Sequence, residues 1–389
     1  MSIGSNSDAL AALTRAQLAS LGREYMLAAQ FNSRTGYAAL AMNHGVEAYR
    51  DVAIDNWMAA SPVYTRRMQK AMRLCGVSDV ETILKGMQLE CGLSHQYFDA
   101  RFKMVDEEQG EFWLVRCGPL LETEPRGEDA VRLMCHDIED PTFDATAVAT
   151  NPRAQVRPIH RPPRVPADRQ PHCHWRVTID PDADPVQERD ITLLMGARQL
   201  SQLDIVRGAN AEPGGWDDYA GPLVEQLQLE RFSQSALAVI CKELAIQVHL
   251  LLQSLGLAVS RRYGEEAARA IAEFQMTGAG WVMSERLAAA LDLKDGGIDH
   301  IVRVLQVHPA FQPGEYFNVE VSRTAEDCAR IVVGDCPAAQ EESPLGWVEL
   351  FDAGEAPALE ALVRGVERTA RLMRGGEARG GGDSLGGAA

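Results

Sequence analysis

The chain has 389 residues, 46% of them apolar and 24% charged, and its 38 Lys and Arg against 55 Asp and Glu leave a formal charge of −17. That composition excludes a disordered chain and supplies apolar material for two domains or one large one. A pI near 5.0 opposes general nucleic-acid binding, and no run approaches the ~18 consecutive apolar residues that a bilayer span requires. Met1 to Ser7 carries no basic flank followed by an apolar core, so a cytoplasmic protein without nucleic-acid or membrane partners is expected. The eight Cys are then read as reduced thiols rather than a disulfide framework.

An offset of 219 positions sets Leu18 against Leu237, Glu24 against Glu243, Gly45 against Gly264, Arg67 against Arg286, Tyr97-Phe98 against Tyr316-Phe317 and Cys117 against Cys336. One register held across loops as well as helices points to two diverged copies of a single unit.

In chain order, Thr14 occupies an N-cap-like position, and apolar residues recur at helical spacing over 10–31, 34–49, 50–60 and 61–75. The period then changes to two, with strands at Tyr97–Val105 and Glu111–Cys117 around the polar Asp106–Gly110 turn. Residues 181–228 form a linker, helical over about 186–206 and rich in Gly and Pro around Pro213-Gly214-Gly215. Ser233 then opens a second helical series over 232–254, 255–262, 264–281 and 282–293, followed by strands at Tyr316–Arg323 and Ala329–Cys336. The expected fold class is α+β: two diverged tandem repeats, each a helical layer followed by a small antiparallel β-sheet. The first spans 1–180, the linker 181–228, the second repeat 229–373, and a flexible, dispensable Gly-rich tail 374–389.

Where the halves differ, chemistry is expected. Beyond Cys117 the register shifts, so that Glu139-Asp140-Pro141 faces Glu355-Ala356-Pro357. The first half carries Cys135-His136-Asp137-Ile138-Glu139, for which the second has no Cys-His pair. Four of the nine His (136, 160, 172, 174) lie between Cys135 and His174. The run from His172 to Ile179 is strand-like, and alternation sets His172, His174 and Arg176 on one face with Cys173, Trp175 and Val177 on the other. His172, His174 and His160 with Asp137 or Glu139 make an inventory suited to Zn2+ or Fe2+ with an open position. In a metal-free version Cys135 is the nucleophile, His136 or, better, the more distant His172 or His174 is its base, and Asp137 or Glu139 orients that His. The bland alternatives are a local turn capped by Asp137 or Asp140, and an exposed strand face. Residues 151–180 hold Arg153, Arg157, Arg161, Arg164 and Arg169 among six prolines, a positive element in an acidic chain. Arg157, Arg161, Arg164 and Arg176 are candidates to clamp an anion, the alternative being that they pair with acids of the same molecule. No nucleotide cofactor is expected, because no phosphate-cradling Gly-rich loop is present. His249 is read as a core residue, and His95, His300 and His308 as surface or loop residues.

A helical layer, then a hairpin ending in Phe112-Trp113-Leu114-Val115-Arg116-Cys117, then a short helix into the Cys135-to-Glu139 motif resembles the L-2-aminothiazoline-4-carboxylate hydrolase-like family and its small-molecule-binding vinyl-reductase relatives. The resemblance covers the first half only, and His136, the Arg/Pro loop and His172-Cys173-His174 depart from it. It implies a cytosolic enzyme handling a small polar or heterocyclic carboxylate through a Cys/acid centre.

The expected function is therefore an enzyme of hydrolase or lyase type acting on a small anionic molecule, with its centre in the first half. The rivals are a ligand-binding or accessory protein with a structural metal, and a non-haem iron oxygenase. Neither a monomer nor a homo-oligomer is selected by the sequence.

Overall fold

A computed structural model of the chain describes residues 9–74, 76, 78–294, 296–341, 350–351, 356–374 and 384–388. Cys75 and the tail segment 375–383 lie outside the described residues. The molecule is mixed helix and sheet, as expected from the sequence.

Helix α1 spans Arg15–His44 and opens with a reciprocal cap, in which Gln17 N–H donates to the Thr14 hydroxyl and Thr14 N–H donates to the Gln17 side chain. It ends at Gly45, whose φ of 88° lies in the region a side chain disfavours, and α2 (Val46–Met72) starts at the next residue. The expected boundary at 31–34 is absent. Its polar residues serve packing instead: the Asn32 amide turns back to the Ala28 carbonyl, and the Thr35 hydroxyl bonds to Phe31 and Asn32 carbonyls. The expected boundary at 60/61 is also absent, although Pro62 lies inside α2. Proline leaves the carbonyl four residues back without its donor, and here the Thr192 hydroxyl supplies one to Met58 at 2.9 Å. The four helices expected before residue 75 are thus two long ones.

Next come α3 (Asp79–Met87), capped by Ser78, and strands β1 (Phe98–Met104) and β2 (Gln109–Cys117). The chain continues through α4 (Gly118–Thr123), α5 (Glu128–Arg132), a π-helical turn over Leu133–Ile138, and α6 (Glu139–Val148). Strands β3 (Ala154–His160) and β4 (Cys173–Ile179) complete an antiparallel sheet of order β1-β2-β4-β3. Phe112, Leu114, Cys173, Trp175 and Val177 face inward onto Val80, Leu84 and Met87 of α3, which is the alternation expected of β4.

The linker region carries α7 (Asp190–Gly196) and α8 (Gln199–Gln202) and then runs extended over the surface of the helical layer. It is packed rather than loose: Tyr219 and Leu229 are buried, and Tyr219 N–H donates to Met72 O. Gly215 has φ of 89°, and a Cβ there would lie 2.5 Å from the Phe232 backbone, so only glycine allows this approach.

Helices α9 (Gln234–Tyr263), α10 (Glu265–Ala290) and α11 (Ile298–Gln306) follow, again with a glycine elbow, Gly264 at φ 86°. After α12 (Gly314–Phe317) come β5 (Val319–Arg323), β6 (Cys328–Val333), α13 (Pro357–Val366), β7 (Arg371–Arg374) and β8 (Ser384–Ala388). Their sheet has the order β5-β6-β8-β7. Part of the stretch expected as a flexible tail is therefore β8, hydrogen-bonded along β6 where the first sheet places β4.

The two helical series interleave. Residues of α1 and α2 share one apolar core with α9 and α10. The Thr35 hydroxyl donates to the Gln275 carbonyl at 3.3 Å, and 219 residues on the Ser254 hydroxyl donates to the Asn56 carbonyl at 3.1 Å. His44 and Tyr263, at matching helix ends, stack with ring centroids 4.1 Å apart. By length and composition α9 could cross a bilayer, but 89% of its most apolar stretch is buried inside this packing.

Candidate functional site

Between α1, α2 and the segment from α4 to α6 lies a cavity of about 970 Å3. From α1 it is lined by Gln30, Ser33, Arg34 and Tyr37, which share one helix face at spacings of three and four residues. From α2 come Tyr49, Ala53, Trp57 and Tyr64, and Phe98, Leu114 and Phe143 add apolar surface. Tyr37 and Tyr49 lie with ring centroids 5.3 Å apart, and the Tyr37 hydroxyl donates to the Asn56 side-chain oxygen at 2.6 Å, which fixes the ring. The arrangement is concave, with an apolar and aromatic floor and a wall that carries charged residues of both signs, a composition suited to a small-molecule site.

Two enclosed carboxyls share this wall. Glu90, just before the turn Cys91–Leu93, accepts from the Thr65 hydroxyl at 2.7 Å. Burial lifts its pKa from 4.5 to about 7, against the lowering effect of that bond. Glu139, at the start of α6, is surrounded by protein but keeps surface toward the cavity. Burial lifts it to about 8, neighbouring Asp140 adds to the rise, and Arg161 partly offsets it. Among the described residues the Glu139 carboxyl has no hydrogen-bond or ion-pair partner, although the Glu139 carbonyl accepts from the Thr142 hydroxyl at 3.2 Å.

The π turn sets the exit of Glu139. The chain widens over Leu133–Ile138, and Pro141, which has no N–H to return to the Asp137 carbonyl, follows in the first turn of α6. The turn separates the adjacent candidates. Asp137 and Glu139 line the cavity. Cys135 points into the sheet core, 2% exposed, near Cys117 and Cys173. Burial, with Glu139 and the two other thiols, pushes its pKa far above that of an ordinary cysteine, the opposite of an activated nucleophile. His136 is held by the Pro162 carbonyl, 2.7 Å from Nε2.

The remaining candidates lie around the sheet. His172 is buried, its Nδ1 accepting the Cys117 N–H at 3.2 Å, and burial followed by Arg164 lowers its pKa. His174 is on the outward face, with Nε2 3.0 Å from Glu111 and its ring 6.1 Å from that of His160. Glu111 also meets Lys103 at 2.9 Å and Arg176 at 3.4 Å. Burial raises its pKa, but Lys103, His174 and Arg176 together more than offset this and hold it low. The expected ligand set therefore does not converge: Asp137 and Glu139 face the cavity, while His160 and His174 face away from it across the sheet. Among the described residues no three His, Cys, Asp or Glu side chains are gathered as a metal site would need.

The arginines are engaged by the chain's own acids. Arg157 pairs with Asp144 at 2.8 Å, Arg161 with Asp140, and Arg164 holds Glu124 through two bonds of 2.8 Å. The Arg/Pro segment thus ties α4–α6 to the sheet, and its guanidiniums do not reach the cavity wall. His308, expected at the surface, is fully buried, and His249 is a core residue bonded to the Pro309 and Gln312 carbonyls.

Glu90, Arg34 and the aromatic set were not singled out in the sequence. A signal was there: 219 residues on, Ser33, Arg34, Tyr37, Tyr49, Trp57 and Glu90 are replaced by Leu252, Gln253, Gly256, Ala268, Met276 and Pro309. In the second half this space is filled. Leu252, Ala268 and Met276 are buried in the shared core, and α13 lies so close to α10 that a Cβ on Gly280 would sit 2.8 Å from Leu362. No family model, curated protein or solved structure matches the chain.

Proposed function

We propose that this cavity is the active site of an enzyme of hydrolase or lyase type, which takes a small organic molecule with a flat apolar body and moves a proton on it. The observation that carries this reading is that two enclosed carboxyls, Glu90 and Glu139, share one aromatic-lined cavity. A carboxyl that keeps its proton near neutral pH is a general acid, and one that loses it near pH 7 is a general base. Glu139 takes the acid role and Glu90 the base role, with Tyr37, Tyr49 and Trp57 holding the substrate's flat faces. Among the described residues no imidazole lines the cavity, and the carboxyls are the groups assigned the proton transfers. The site belongs to the first half, the part that carries the resemblance to the aminothiazoline-carboxylate hydrolase-like family.

The two halves are read as diverged copies of one unit. The 219-residue offset holds at both ends of α1 and α9 and of α3 and α11, the sheets share one strand order, and the Thr35 and Ser254 bonds correspond. One copy keeps the cavity and the other fills it.

The test is turnover of a panel of small aromatic esters, amides and elimination substrates by wild type and Glu139→Gln. The expected result is a loss of about a hundredfold or more in kcat in the folded variant, the scale of one acid–base group. Unchanged turnover in Glu139→Gln would refute the assignment. Saturable binding with no turnover across the panel would favour the rival reading, a non-catalytic small-molecule-binding protein.

A further inference from the structure

Three Arg–carboxylate pairs in this molecule use the same edge of the guanidinium. Arg67 holds Glu243, Arg286 holds Glu24, and Arg164 holds Glu124, each through Nε and Nη2. That edge presents two parallel N–H donors at the spacing of a carboxylate's oxygens. Arg34 differs. It lines the cavity, its Nη1 is tied to Glu122, and its guanidinium lies 4.9 Å over the Tyr97 ring. Its Nε is enclosed without an acceptor, and its Nη2 has no hydrogen bond among the described residues. An enclosed donor without an acceptor is costly, and a built site keeps one only where something else satisfies it.

The surroundings suit an anion. Arg126 and Arg132 also line the cavity, and Arg126 has no ion pair among the described residues. The acids on the outer wall are Asp129 and Asp137, and Arg132 is paired with Glu128, so Arg126 and the open edge of Arg34 are the positive groups left to meet an anion. The Tyr97 ring holds the planar Arg34 guanidinium in one orientation, which lowers the entropy lost when an oxyanion docks against its edge.

We propose that Arg34 is the specificity-determining residue of the cavity, binding an oxyanion substituent of the ligand, a carboxylate or sulfonate, through its Nε and Nη2 edge. This rests on the cavity being a ligand site, and it assigns anion recognition to Arg34 rather than to the arginines of the 151–180 segment. Glu122 is then a competitor that the ligand's anion partly relieves of its partner.

The test uses two fluorescent probes of nearly the same shape: the anion 1-anilinonaphthalene-8-sulfonate and its neutral parent N-phenyl-1-naphthylamine. Arg34→Gln should weaken the anionic probe by about tenfold or more, the scale of a charge-assisted hydrogen bond, and leave the neutral probe within about twofold. Arg34→Lys should recover only part of the loss. Glu122→Gln should tighten the anionic probe alone, a gain that a merely structural role for Arg34 would not produce and that is readable even if Arg34→Gln fails to fold. Equal effects of Arg34→Gln on both probes, or no effect of either substitution, would overturn the assignment. Trp57→Ala tests the cavity separately: it should weaken both probes, and failure of the neutral probe to bind wild type would remove the cavity reading and this one with it.

Discussion

Arg67 on α2 and Glu243 on α9 form a buried side-on pair, Nε to Oε2 at 2.9 Å and Nη2 to Oε1 at 2.8 Å, and Arg286 on α10 meets Glu24 on α1 in the same way 219 residues on. The remaining Arg67 nitrogen donates to the Ser201 and Leu203 carbonyls, so the group also pins the end of α8. Each pair joins a helix of one half to a helix of the other. The first is enclosed and the second is half-exposed on its arginine side.

That contrast gives the first prediction. Arg67→Ala or Glu243→Ala strands a charge in the shared core and should cost about 3–5 kcal/mol in urea unfolding. Arg286→Ala should cost about 1 kcal/mol or less, because water screens its pair. Equal costs for the two arginines would contradict the burial difference.

The second prediction concerns pH. An unfolded glutamate titrates near 4.5, whereas Glu90 and Glu139 in the folded chain titrate near 7 and 8. Both folded values are raised, so the folded state holds protons that the unfolded state has released. The stability due to this is full below about pH 4.5 and is lost as pH rises through 7 and 8. Gln cannot ionise, so Glu90→Gln should match wild type at pH 4 and exceed it by on the order of 3 kcal/mol at pH 9. Thermal melting across that range checks it, and parallel curves for the two proteins would rule it out.

His172 supplies the third. Its Nδ1 is the acceptor of the buried Cys117 N–H where β2 ends. His172→Ala leaves that N–H unpaired and should destabilise by about 1–3 kcal/mol. His172→Asn, whose amide oxygen can accept, should recover part of the loss.

The fourth concerns Cys135. Its thiol is enclosed, and burial keeps it protonated. Alkylation of the native protein by iodoacetamide should modify Cys135 at least about a hundredfold more slowly than a free thiol, and mass-spectrometric mapping reads the site directly. Rapid labelling of Cys135 would restore it as a nucleophile.

The fold was legible where period and register carried it. The hairpin around Asp106–Gly110, the alternation of β4 and the start of α1 at Thr14 follow from local chemistry that the tertiary structure leaves intact. The helix boundaries near 31–34 and 60/61 misled, because the polar run Asn32 to Thr35 and Pro62 are ordinarily breakers. Here the backbone groups they disturb find partners, some of them far off in sequence, as with Thr192 at Met58. The site was legible only in part. Asp137 and Glu139 stood in a cluster that drew notice by its composition, but Cys135 and His136 share that cluster and face elsewhere, since consecutive helical residues point in different directions. Arg34 lies in the polar run Asn32 to Thr35, Tyr37 and Glu90 stand apart from the cluster, and nothing local distinguishes a polar residue that caps a core from one that lines a cavity.

The widened turn at Leu133–Ile138 also acts as a phase shifter. A π turn is in effect one residue added to an α-helix, and each residue of an α-helix advances about 100° around the axis. Deleting a single residue from this stretch would return the helix to regular pitch and swing Glu139 by that angle, out of the cavity, with little change in composition or length. The position of the acid is thus set by a residue count rather than by the identity of its neighbours, so a small insertion or deletion here would change the chemistry of the site more than most substitutions in its wall.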